Sequence, residues 1–259
     1  MLIHGIGSSW RVWKPVIERL EQRHEVLALS LPGYGDSPPL EEEPTVPALT
    51  GAVERELDAI GWDTAHIVGN SMGGWIAGEL AARGRARTGV AIDPAGLFTL
   101  KEFHYSRGAL RRSYKLARLT APIAHKITAN RVGRTLAFGQ VQSRGWRNDL
   151  EESAYAIRAL ADSPSFLKTL DWIEQNHAMP VGLDRIDCPF LVAWGTWDLL
   201  LPVRQAKRWE RIVPGCEVKL LPRLGHVPMA DDPETVAGVI EEFVERATRS
   251  SGPRAAAPA

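Results

Sequence analysis

Residues 69–74 read Gly-Asn-Ser-Met-Gly-Gly, and their types and spacing suit a nucleophilic serine. Ser71 follows the apolar run His66-Ile67-Val68 and precedes a helical pattern beginning near Trp75. A serine on a sharp strand-to-helix turn takes a strained backbone, and glycines at 69 and 73 remove side chains that would collide there. The turn exposes the hydroxyl, while the following helix directs N–H groups and the positive end of its dipole at developing negative charge. G-x-S-x-G strings also arise by chance; the strand before and the helix after are what give this one weight.

A serine needs a base. His226, in Leu224-Gly225-His226-Val227-Pro228 just past the last strand-like run, has the right chemistry, because a neutral imidazole near its pKa can take the serine proton and return it to a leaving group. Taken alone it would read as a loop histidine bonded to backbone. A carboxylate must then hold the imidazole in its reactive tautomer and stabilise the imidazolium. Asp198, in Gly195-Thr196-Trp197-Asp198 after a strongly apolar strand, is the preferred acid; its bland alternative is a turn or helix-cap aspartate. Asp93, in Ile92-Asp93-Pro94 at another strand end, is the competitor. The loop His4-Gly5-Ile6-Gly7 follows the short strand Leu2-Ile3 and can present an amide to an oxyanion. The expected donors are the backbone N–H groups of Ile6 and Met72, with His4 and Gly5 supporting the loop and Gly69, Asn70 and Gly73 shaping the elbow.

These residues need a frame. Strand-like runs at 26–29, 66–68, 90–92, 190–193 and 218–221 alternate with helical patterns at 13–20, 46–60, 75–82, 206–212 and 233–247. That alternation predicts an α/β fold, a mostly parallel sheet with crossover helices. It breaks once, over 97–180, where the sequence is basic and helix-compatible without a convincing strand. The predicted organisation is a core of 1–96 and 181–249, a helical cap of 97–180, and a Ser/Pro/Ala-rich disordered tail of 250–259. Arg107, Arg111, Arg112, Lys115 and Arg118 of the cap read as a solvated face, with attraction of an acidic substrate the lesser alternative.

Composition narrows the function classes. The 259 residues are 44% hydrophobic and 24% charged, which is ordinary for a soluble globular chain with a sizeable core. Lys+Arg and Asp+Glu both number 31, so no net positive charge points to nucleic acid or to an anionic membrane. No apolar run approaches the ~18 residues of a membrane-spanning helix, and the start lacks the pattern of a signal peptide. A cytoplasmic protein acting on a small molecule is expected, without nucleic-acid or membrane partners; a homodimer is compatible with the sequence. Cys188 and Cys216 read as reduced thiols, although each precedes a strand and neighbouring strands would bring them close. Neither a G-x-G-x-x-G turn nor a metal-ligand cluster is present in the sequence, so no cofactor and no metal are expected. Nine tryptophans fit an aromatic-lined pocket and fit large core residues equally well.

Together, His4-Gly5, the segment from Leu31 to Ser37, the elbow, Gly195-x-x-Asp198 and Gly225-His226 resemble the α/β-hydrolase superfamily. The likeness is to capped serine hydrolases related to esterases and to the carbon–carbon bond hydrolases of meta-cleavage pathways. The chain order Ser, Asp, His is that of this class. The resemblance implies acyl transfer to water through an acyl-enzyme, with a small apolar ester or lactone as substrate. The alternatives are cleavage of a carbon–carbon bond beside a ketone, and a non-catalytic ligand-binding protein on the same fold. Three departures stand out. Relatives have two further strands before the His-Gly loop, so the first two strands look missing and the sequence N-terminally truncated. Ser30 stands where relatives often carry Asp, which concerns loop anchoring. Val227 stands where carbon–carbon hydrolases commonly carry Trp.

Overall fold

In a computed structural model, which describes residues 1–251, six strands form one wholly parallel sheet. β1 (Leu2–Ile3) leads through α1 (Lys14–Leu20) to β2 (Ala28–Leu29), and α2 (Val46–Ala59) leads to β3 (Ala65–Asn70). α3 (Met72–Ala82) precedes β4 (Ala86–Ile92). Helices α4 (Leu100–Thr120), α5 (Ala124–Thr128), α6 (Arg131–Phe138), α7 (Leu150–Asp162) and α8 (Phe166–Gln175) follow before the chain returns as β5 (Phe190–Gly195). α9 (Ala206–Ile212), β6 (Glu217–Leu221), α10 (Pro228–Asp231) and α11 (Pro233–Ser251) complete it. The strand order is β2-β1-β3-β4-β5-β6, which leaves β2 as an edge paired only to the two residues of β1.

Side chains of period two divide the core between the faces of the sheet. Ile3, Ile67, Ala91, Val192 and Trp194 pack on one side with α2, α3 and α9. Leu2, Val68, Val90, Leu191 and Ala193 pack on the other with α1 and α11, through Val16, Leu20, Val236, Ile240 and Phe243. Trp13, Trp75, Trp194 and Trp209 are fully buried, Trp62 and Trp172 pack partly buried against the core, and Trp10, Trp146 and Trp197 are exposed.

The expected elements are present with shifted ends: β2 keeps only Ala28–Leu29 of the run at 26–29, while β3, α3 and β4 begin earlier than expected, at Ala65, Met72 and Ala86. The helix expected to stop near 247 runs on to Ser251, into the first residues of the expected disordered tail; the rest of that tail lies outside the described residues. The first helical stretch begins as a 3₁₀ turn at Trp10–Trp13, capped by the Ser9 hydroxyl, before Pro15 opens the α-helix. β5 and β6 are neighbours, yet Cys188 and Cys216 are thiols not joined to each other.

Candidate active site

Ser71 occupies the turn between β3 and α3 with φ 58° and ψ −118°. A non-glycine residue there costs ~1–3 kcal/mol and persists only where its surroundings over-determine it. Here they do. The Ser71 N–H donates to the Ile92 carbonyl (2.9 Å), and the Ser71 carbonyl accepts from Ala95 N (3.0 Å) and Trp75 N (3.1 Å). The flanking glycines are required by space. A Cβ at Gly69 would fall 1.9 Å from the Gly73 carbonyl oxygen, and one at Gly73 would fall 2.2 Å from that of Ile3. Gly5 lies so close to the elbow that a Cβ there would approach the Ser71 Cβ to 2.9 Å.

His226 Nδ1 is 2.7 Å from Asp198 Oδ2, and both side chains are almost wholly buried. Asp198 Oδ1 accepts from the amides of Leu200 and Leu201, each at 2.8 Å. The turn aspartate and the partner of the histidine are therefore one residue, with each oxygen doing one job. With Nδ1–H donating to a carboxylate, the nitrogen left with a free lone pair is Nε2.

The structure also brings Asp93 to this place. One ligand atom each from Asp93, Asp198 and His226 lie within 4.8 Å of one another, a spacing that suits a metal ion as well as a hydrogen-bonded trio. The donors around them favour the trio. Asp198 has three donors and Asp93 one, the Gly195 amide at 2.7 Å, while Asp93 Oδ2 is buried with no donor. Burial first, and then the neighbouring Asp198 charge, push the Asp93 carboxyl well above the ordinary carboxylate range. Of the two carboxyls, Asp93 is therefore the one that environment disposes to hold a proton.

His4 is fully buried and not exposed to the solvent. Its Nε2 accepts from Leu31 N (2.9 Å), which leaves Nδ1–H to donate to the Gly5 carbonyl (2.7 Å). Burial lowers its pKa to about 4, so the ring is neutral and braces the loop. Asn70 ties elbow to histidine loop, its side-chain amide donating to the carbonyls of Ile92 (3.1 Å) and His226 (2.9 Å). The Met72 amide opens α3 and has no intrahelical acceptor. Ile6, Ser71 and Met72 border one cavity of about 40 Å³, closed by Trp75 and by Phe103, Leu110 and Leu170 of the helical insertion.

A family model described as "Alpha/beta hydrolase family" matches residues 1–239. The chain belongs to the alpha/beta hydrolase family. The epoxide hydrolase EphH of Mycobacterium tuberculosis is 29% identical over 211 residues, covering 76% of this chain and 94% of the relative. A pimeloyl-[acyl-carrier protein] methyl ester esterase of Neisseria meningitidis is 29% identical over 269 residues, covering 94% and 92%. Among solved structures, a membrane phospholipase A described as a bacterial virulence factor superposes with a TM-score of 0.75 at 27% identity, covering 95% of this chain and 78% of that one.

In this hydrolase the helical insertion is fastened at points that the motifs do not reveal. Asp231, fully buried, accepts from Ser143 N (2.9 Å), the Ser143 hydroxyl (2.9 Å), Arg144 N (2.7 Å) and Gly225 N (2.7 Å). One carboxylate thereby joins the insertion to the residue before His226. Glu102, next to the start of α4, completes a capping box with Thr99 and pairs with Arg204 and Arg208. Burial opposes its ionisation, but the bonds from Arg208, Thr99 and Arg204 prevail and hold its pKa at about 2. Tyr105 and Ser106 donate to the carbonyls of Leu199 and Leu200, clasping the Asp198 loop. On the opposite side Ser163 and Ser165 donate to the carbonyls of Gly33 and Pro32. Ser30 anchors its loop by accepting from Trp10 N at 3.2 Å. Arg107 and Arg111 pair with Glu174 and Asp171, so neither is an unopposed charge for an acidic substrate.

Proposed function

We propose that this hydrolase cleaves a carboxylic ester with a small apolar acyl group through an acyl-enzyme on Ser71. The observation that carries the reading is a juxtaposition. A serine held at φ 58° borders an apolar cavity together with Ile6 and Met72, and the adjacent Asn70 is bonded to the carbonyl of His226 in a buried His226–Asp198 pair. In the proposed reaction the Ser71 hydroxyl attacks the ester carbonyl and passes its proton to His226 Nε2. The oxyanion rests against the amides of Ile6 and Met72, and the imidazolium is stabilised by Asp198. His226 protonates the departing alkoxide. It then takes a proton from water, which releases the acid and restores Ser71.

The cavity argues for a short acyl chain. About 40 Å³ is far below the ~300–1,000 Å³ of typical ligand pockets, and its walls are almost entirely carbon. The name of the Neisseria relative, a methyl ester esterase, supports ester chemistry. The small-molecule substrate, the absence of any cofactor and the covering role of the 97–180 helices belong to the same reading. The test is hydrolysis of short- and long-chain chromogenic esters by the wild type and Ser71→Ala. Loss of turnover on the order of a million-fold in the variant, with preference for the short chain, is expected. Equal turnover by both proteins, or none by either, overturns the proposal.

A further inference from the structure

The whole chain is electrically balanced, but its charges are not evenly placed. Residues 103–148 hold ten Lys and Arg and no Asp or Glu. Three of these cations pair with acids elsewhere: Arg107 with Glu174, Arg111 with Asp171 and Arg144 with Asp232. Arg112, Lys115, Arg118, Lys126, Arg131 and Arg147 are all exposed and make no ion pair among the described residues.

The same segment carries exposed aliphatic side chains. On α4, Arg112, Lys115, Leu116 and Leu119 recur at the i, i+3, i+4, i+7 spacing of one helix face. Val132 and Leu136 share a face of α6 beside Arg131, and Ile123 lies between the two helices in sequence. Leu119 is 77% exposed and Leu136 80%. None of these aliphatic residues lines the cavity at Ser71 or the three other prominent pockets. They project from helices instead of forming a socket.

We propose that this face of the insertion docks on an anionic lipid surface. Positive charge interleaved with projecting leucines is the pattern of a helix lying in a membrane interface, where each Lys or Arg near anionic headgroups and each buried methylene adds to binding. Projecting aliphatics need no preformed pocket in a fluid bilayer, whereas a folded acidic protein would have to supply matching sockets. No helix among the described residues is long and apolar enough to cross a membrane, so the association is peripheral. The zero net charge, which as an average predicts no membrane partner, hides this segregation. The inner side of α4 borders the Ser71 cavity through Phe103 and Leu110, so docking would set that cavity beside the lipid. Binding is a separate matter from hydrolysis and is tested separately.

The experiment is co-sedimentation of the full chain with vesicles of phosphatidylcholine, and of phosphatidylcholine mixed with phosphatidylglycerol. Wild type and the double variant Leu119→Asp/Leu136→Asp are compared at low and at molar salt. Both positions are exposed and outside the cavity, so the variant should keep the wild-type melting curve and its activity on a soluble ester. Expected are binding to the anionic vesicles only, its loss at molar salt, where the Debye length falls to about 3 Å, and at least about tenfold weaker partitioning of the variant. No binding to the anionic vesicles, equal binding to neutral ones, or undiminished binding of the variant overturns the proposal. Capture by soluble polyglutamate without vesicle binding overturns it in favour of an acidic protein partner.

Discussion

Asp231→Asn should loosen the protein at the seam between the insertion and the histidine loop. In the wild type both carboxylate oxygens of Asp231 face only donors: Oδ2 receives Ser143 N, the Ser143 hydroxyl and Gly225 N, and Oδ1 receives Arg144 N. An amide of the same shape has one oxygen and one NH₂. In either flip at least one backbone N–H then meets a donor. A buried orphaned donor costs ~1–3 kcal/mol, and each remaining bond falls from charge-assisted to neutral strength, a loss of about 1 kcal/mol apiece. Together these give about 4 kcal/mol, a large share of the ~5–15 kcal/mol that stabilises a typical domain. Urea denaturation followed by circular dichroism reads the loss as a lower midpoint. Amide exchange at Gly225 reads it locally, and faster exchange there than across β4 is expected. A stability loss below about 1 kcal/mol would refute the claim that this carboxylate fastens the seam.

Two further outcomes follow from the buried titratable groups. Asp198→Asn, which cannot serve as the negative partner of an imidazolium, should lower ester turnover by about four orders of magnitude, whereas Asp93→Asn, replacing a protonated carboxyl by another donor, should retain most of it. Comparable losses in steady-state assays of the two variants would show that Asp93 is not the protonated member of the pair. The His4 pKa of about 4 lies below the ordinary 6.5, so the unfolded chain binds this proton more readily than the folded one. His4 therefore penalises folding progressively as pH falls from about 6.5 towards 4, by roughly 3 kcal/mol once both pKa values are passed. Denaturation midpoints across that window should fall with pH, and less steeply in His4→Gln; identical pH slopes would remove His4 as the cause.

The elbow was legible because its constraints are local. Gly69 fits a turn whose close neighbour is Gly73, four residues on, and an apolar run followed by a helical period is read within a short window; only the approach of Ile3 to Gly73 comes from far along the chain. The same locality made α9 legible from end to end, since its stripe, with Ala206 and Trp209 buried, lies within two turns. The preference for Asp198 over Asp93 rested on its place after a strongly apolar strand and on the Gly195-x-x-Asp198 motif, since either acid satisfies the order Ser, Asp, His. The structure places both beside His226 with different donor sets. Asp231 was missed. An acid between Pro228 and Pro233 reads as a helix-end aspartate, and its partners Ser143 and Arg144 are more than eighty residues away.

By itself, the amino-acid sequence determined the alternation of strands and helices, the strained serine turn and the identities of a base and two candidate acids. Each depends on backbone preference or side-chain period within a few residues. Tertiary structure alone decided which acid meets the imidazole and which is left buried with one donor, how the insertion is bolted to the loops bearing Asp198 and His226, and that the cavity is small and apolar. It also decided that the cations of the insertion without an ion pair, together with Leu116, Leu119 and Leu136, are exposed. Those properties depend on distances between segments far apart in the chain, and on how completely water is excluded between them, which no local window contains.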